Sequence, residues 1–181
     1  MEQSNDGIEF TVKDTPKNFS YWLSRPYVSA TLKQDLDKAN LLIVPTENFR
    51  EKDGPFFPNG TEDFLDFLRS NSREGLVPDI CIDDSQYQVI ALHNALVVIG
   101  GVVVSALLAP VVVDLVAEYI KRKIWVDKEA ETSVKFSMTV VEEDGRAEKM
   151  SYEGPAATFQ KTIGSRLKAP SGRKNPGLEK K

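Results

Sequence analysis

Residues 95–113 read ALVVIGGVVVSALLAPVVV, 19 consecutive positions without a charge, with Ser105 as the only hydroxyl. Nothing else in the chain is comparable. As a single α-helix the run would be roughly 28 Å long, close to the roughly 30 Å hydrocarbon thickness of a bilayer. It therefore predicts either a membrane-embedded helix or the central apolar helix of a core.

The flanks favour the membrane. Asp79, Asp83 and Asp84 precede the run, and Lys121, Arg122 and Lys123 follow it. Because Lys and Arg stay on the cytoplasmic side, the C-terminal basic side would be cytoplasmic. Tyr87 on one side, and Tyr119 and Trp125 on the other, stand where aromatic rings would meet the headgroups. Gly100, Gly101 and Ser105 are small enough for a second helix to approach closely, so they predict helix association.

Two features oppose this. From Pro110 onward, Val112, Leu115, Val116, Tyr119 and Ile120 share one helical face, and Asp114, Glu118, Lys121 and Arg122 the other. That is the pattern of an amphipathic surface helix, with Pro110 suited to its first turn. The opening residues MEQSNDGIEF also carry no basic or apolar region of a secretory signal, which disfavours exporting the residues ahead of the run.

Charge is unevenly distributed. Residues 1–85 hold 9 Lys/Arg against 16 Asp/Glu, net −7, and the remainder holds 14 against 11, net +3. An acidic front half argues against nucleic acid as a partner, since phosphate contact needs a basic face. Cys81 is the single cysteine, so an internal disulfide and a cysteine-based metal cluster are both excluded.

The acidic module, 1–85, reads as a small α/β unit. Ile8, Phe10 and Val12 alternate with polar residues as a half-buried strand. The segment 18–27 is aromatic and irregular, with Tyr21 and Trp22 capping the core. Ser29 is placed to cap a helix carrying Leu32 and Leu36. Leu41–Val44 is a short apolar run, a strand buried on both faces. Residues 46–60 lack periodicity and read as a long loop. Thr61 would cap a helix whose buried face is Phe64, Leu65, Phe67 and Leu68, and residues 79–83 form a further strand.

In such a layer, ligands favour the carboxyl ends of strands. Glu47, Asp83 and Asp84 stand there, and three converging carboxylates could hold a hard cation such as Mg2+ in a metal-dependent enzyme. The competing explanation is that acidic residues simply form turns and caps there. His93, the only histidine, has no nucleophile motif to serve and reads as an interfacial or core-edge residue.

In the back module, 124–164, Val134, Phe136, Met138 and Val140 alternate with Lys135, Ser137 and Thr139. A turn at Glu143–Gly145 and a return through Met150 and Tyr152 predict a β-hairpin. Gly154-Pro155 then starts a short helix, closed by Gly164. Residues 165–181 hold 6 Lys/Arg and one Glu, and read as a disordered basic tail.

The chain is thus expected to be α+β: an acidic module, a transmembrane helix within 86–123, a hairpin–helix module and a tail. The function expected is non-enzymatic anchoring, assembly or membrane perturbation through self-association. Its partners would be a lipid membrane and a second copy or another protein, with no cofactor or metal. The alternative is a soluble, cytoplasmic α/β subunit of a larger complex, with 95–113 as its buried core helix.

Overall fold

The computed structural model describes residues 7–73, 75–91, 96–127 and 132–168. His93 and Asn94 lie outside the described residues, as does the tail from residue 169 on. Among the described residues there are nine strands and five α-helices, arranged in two sheets.

The apolar run is not one helix. Leu96–Ser105 is a strand, β7, and the chain turns through Ala106–Leu108 into a helix, α4, covering Ala109–Asp127. The reason lies in the residues. Five valines and an isoleucine crowd the first half, and β-branched side chains are restricted in a helix but fit a pleated surface. Gly100 and Gly101 would each weaken a helix by about 1 kcal/mol relative to Ala. A strand covered on both faces needs no polar residues, so the absence of charge does not require lipid. Val102, Val103 and Val104 are fully buried in the chain's own core. Among the described residues, no helix is long and apolar enough to cross a membrane. The transmembrane expectation is therefore corrected. The amphipathic pattern after Pro110 is realised in α4, whose Val112, Leu115, Val116 and Ile120 are buried while Asp114, Lys121 and Arg122 are exposed.

The remaining strands are β1 (Glu9–Thr15), β2 (Leu41–Val44), β3 (Thr46–Phe49), β4 (Lys52–Pro58), β5 (Pro78–Ile80), β6 (Val89–Ile90), β8 (Ser133–Val141) and β9 (Ala147–Pro155). The larger, six-stranded sheet runs β1-β9-β8-β7-β2-β5, and β3-β4-β6 form the smaller one. In the larger sheet β7 lies parallel to β8 and antiparallel to β2. Two parallel neighbours need a crossover, and α4 supplies it. Strands from the acidic front, β1, β2 and β5, thus share one sheet with β7, β8 and β9.

The other helices are α1 (Phe19–Leu23), α2 (Ala30–Leu36), α3 (Thr61–Ser70) and α5 (Ala156–Lys168). Helices α3, α4 and α5 pack against the larger sheet and against one another. The apolar rows facing α5 are in register: Phe10 with Tyr152 and Phe136, then Val12 with Met150 and Met138. Phe159 of α5 meets Phe136 edge-on at 5.5 Å and Tyr152 at 5.4 Å. Each ring contact adds about 0.5–1.5 kcal/mol beyond the burial itself.

Four local expectations change. Segment 18–27 contains α1, capped by the Asn18 side chain, which accepts from Tyr21 N at 3.1 Å. The Asn18 amide also donates to Gly145 O, tying this segment to the β8–β9 turn. Residues 46–58 are a hairpin rather than a loop. Its turn residues Arg50 and Glu51 take φ of 47° and 63° without a glycine to announce them. Gly60, not Thr61, caps α3, with φ 87°, and the Thr61 hydroxyl donates back to Pro58 O. Helix α5 runs through Gly164 to Lys168, past the stop expected there.

Candidate functional site

Strand alternation puts apolar side chains of β1, β8 and β9 toward the helices, so the intervening residues form the opposite face. Register aligns these into three rows. Lys13, Lys149 and Thr139 stand side by side, then Thr11, Ser151 and Ser137, then Glu9, Glu153 and Lys135. The middle row continues to Gly101 on β7, where no side chain intrudes.

Two adjoining clefts, of about 200 and 290 Å3, lie over this face and share Thr46, Gly101, Ser137 and Lys149. One wall of the smaller is Lys17, Trp22 and Glu47, and the larger reaches from Lys149 to Glu9 and Glu153. Together they make one groove across the sheet.

A solvated sheet face is ordinarily polar. Its charges are ordinarily mixed as well, because like charges directly opposite each other destabilise a sheet by about 0.2–1 kcal/mol. Here Lys13 faces Lys149 and Glu9 faces Glu153. Lys135 bonds Glu153 at 3.1 Å, which relieves the acidic row in part. Among the described residues, no carboxylate pairs with Lys149 or Lys13. The Lys149 side chain is exposed to solvent and lines both clefts where they meet. Partial desolvation there, and secondly the nearby Lys17 ammonium, hold its pKa below 10.5.

At the groove wall, β3 brings Glu47 into a dense cluster. Its carboxylate accepts from Lys17 Nζ at 3.0 Å, Tyr21 Oη at 2.9 Å and Tyr27 Oη at 3.0 Å. Burial alone would raise the Glu47 pKa, but these hydrogen bonds outweigh it and hold the carboxyl below 4.5. Lys17 is raised above 10.5, because its bonds to Glu47 and Tyr21 override burial. Tyr27 is pushed far above its ordinary value by burial first and then by Glu47. Trp22, only 5% exposed, lines the same wall, and its indole Nε1 has no hydrogen-bond partner.

The residues singled out from sequence fall elsewhere or take other roles. Asp83 accepts from Ser29 N and Ser29 Oγ at 2.8 and 2.9 Å, so it anchors the start of α2. Asp84 opens a short 3-10 turn, Asp84–Gln86. Glu47 is committed to its tyrosines and Lys17. No group of three His, Cys, Asp or Glu able to hold a metal occurs among the described residues. The carboxylate metal site is thus not assembled.

Gly100, Gly101 and Ser105 stand on a strand, so the helix they were to join does not exist. Tyr119 is buried against Phe64 and Phe67. Tyr87 packs on Phe57, and Lys123 pairs with Asp63. Lys121 and Arg122 lie on the exposed face of α4, whose last turns include Trp125. Tyr87, Tyr119 and Lys123 thus make contacts within the chain, while Lys121 and Arg122 lie on the surface of α4.

Sequence reasoning missed Lys149, Lys13 and the hydroxyl row. The signal was present, since Lys13–Thr11–Glu9 and Lys149–Ser151–Glu153 occupy the polar phase of two alternating strands. Comparison with known protein families, curated proteins and solved structures finds no match to this chain.

Proposed function

We propose that the chain is a binding protein whose groove takes up a small molecule bearing a carboxylate or phosphate. The observation that carries this is Lys149: an unpaired ammonium set where two clefts meet, in line with Lys13 and close to Lys17. A cleft-lining cation without a counter-charge and close to a second ammonium is disfavoured by its surroundings, and an anionic ligand relieves that. The surrounding donors, Thr46, Ser137 and Ser151, can complete an anion's hydrogen bonds. Strand β7 of the uncharged run fits this reading, since Val102, Val103 and Val104 are buried in the core while Val98, Gly100 and Gly101 help to line the groove.

The test is a titration with inorganic phosphate and with octanoate at constant ionic strength, followed by thermal midpoint and by calorimetry. Saturable binding should appear with at least one of the two and weaken markedly in Lys149→Gln. The reading is lost if neither anion binds, or if the Lys149→Gln protein binds as well as the original.

A further inference from the structure

Charge along the groove is separated by sign as well as by row. On β1 the order is Lys13, Thr11, Glu9, and on β9 it is Lys149, Ser151, Glu153. Because adjacent antiparallel strands run in opposite directions, this agreement is not a repeat carried along the chain. It arises only once the two strands pair. The outcome is a cationic end, a hydroxyl middle and an acidic end. The larger cleft spans all three, from Lys149 past Thr11, Ser137 and Ser151 to Glu9 and Glu153.

The acidic end keeps a surplus. Lys135 answers Glu153, while Glu9 has no ion pair among the described residues. At the cationic end, Lys17 is answered by Glu47, while Lys13 and Lys149 are not. Positions 149 and 153 are four residues apart on one strand, about 13 Å at the usual rise. An extended ω-amino carboxylate of about eight carbons, with a hydrogen bond of about 2.8 Å at each end, spans that distance.

Building on the anion reading of this groove, we infer that its ligand is dipolar: an extended molecule with a carboxylate at Lys149 and an ammonium at Glu9 and Glu153, all three of which line the larger cleft. An ω-amino carboxylate is the simplest member of the class. The carboxylate supplies the missing counter-charge at one end and the ammonium does so at the other. The polar row between them offers hydroxyls to a hydrated or substituted backbone. A ligand anionic at both ends would set its second charge against Glu9 and is disfavoured.

The experiment compares 8-aminooctanoate, octanoate and octylamine by calorimetry at constant ionic strength. The dipolar ligand should bind roughly three- to tenfold tighter than octanoate, the range expected of one added, partly exposed ion pair. Glu9→Gln should remove most of the preference for 8-aminooctanoate over octanoate. Since Glu9 is exposed and has no ion pair among the described residues, the variant should fold normally.

Equal binding of octanoate and 8-aminooctanoate would overturn the dipolar inference alone and leave the anion reading standing. Absence of binding by both would remove the anion reading itself. Tighter binding of octylamine than of either carboxylate would overturn both.

Discussion

Lys13 and Lys149 face each other directly across the β1–β9 pair, two ammonium groups in one rung of the sheet. A chain selected for stability alone would place a carboxylate at one of these positions. Lys13→Glu should therefore stabilise the fold, by about 0.5 kcal/mol in urea denaturation, through a new pair with Lys149. The same change should weaken anion binding. A stabilised protein with undiminished anion affinity would remove Lys149 from the site.

Glu47 gives a pH signature with a defined sign. Its folded-state pKa lies below 4.5, so its contribution to stability is fully present above about pH 4.5 and is lost as pH falls through the lowered value. Glu47→Gln should cost about 1–3 kcal/mol at neutral pH, because charge-assisted bonds from Lys17, Tyr21 and Tyr27 are lost or weakened. Its stability should also fall less steeply in acid than that of the original protein. Parallel acid profiles for the two would contradict the cluster.

The β3–β4 turn holds Arg50 and Glu51 at positive φ, and Asn48 just before it as well. Side chains with a Cβ are strained there, while Asn-Gly suits such a two-residue turn. The double variant Arg50→Asn, Glu51→Gly should raise stability by about 1 kcal/mol, read as a higher thermal midpoint. A lower midpoint would mean that the turn adopts another form in solution.

Gly100 and Gly101 should respond differently to a side chain. A Cβ on Gly101 would sit 3.2 Å from Ser137 Oγ and 3.3 Å from Val44 Cγ2, whereas on Gly100 its nearest neighbour is Pro58 Cδ at 3.4 Å. Gly101→Leu should destabilise by about 1–3 kcal/mol through overpacking, and Gly100→Ala by much less. Chemical denaturation of both variants tests the strand assignment, since a helix would rank them by propensity alone.

Cys81 is buried, and burial first, then Asp79 and Glu47, pushes its thiol up to about 12. A thiol-specific disulfide reagent should not label the native protein on the timescale of minutes, and should label it at once in denaturant. Rapid native labelling would show that β5 and its neighbours open readily.

Alternation made β1, β8 and β9 legible, because one buried face forces a period of two. Helix α3 was legible from Phe64, Leu65, Phe67 and Leu68. The 95–113 run was not, because an uncharged segment has no polar phase to reveal its period. The valines and paired glycines were the better guide, and length and charge misled. The hairpin at 46–58 hid because Arg50 and Glu51 hold a conformation their residue types do not announce. For the groove, each strand's polar residues could be read separately. That lysine meets lysine and glutamate meets glutamate depends on pairing register, which no local pattern encodes.

The pairing of β1 with β9 also bears on how the chain is made. Thr15 waits for Ala147 and Glu9 for Glu153, so β1 leaves the ribosome without its partner until roughly 130 further residues are synthesised. At about 5–20 residues per second that is an interval of roughly 6–26 seconds. During it, β2, β5 and β7 can already assemble, while β1 remains a solitary strand bearing Phe10 and Val12. The charges on its other face, Glu9 and Lys13, confine that unpartnered apolar surface to one side of the strand until β9 is made.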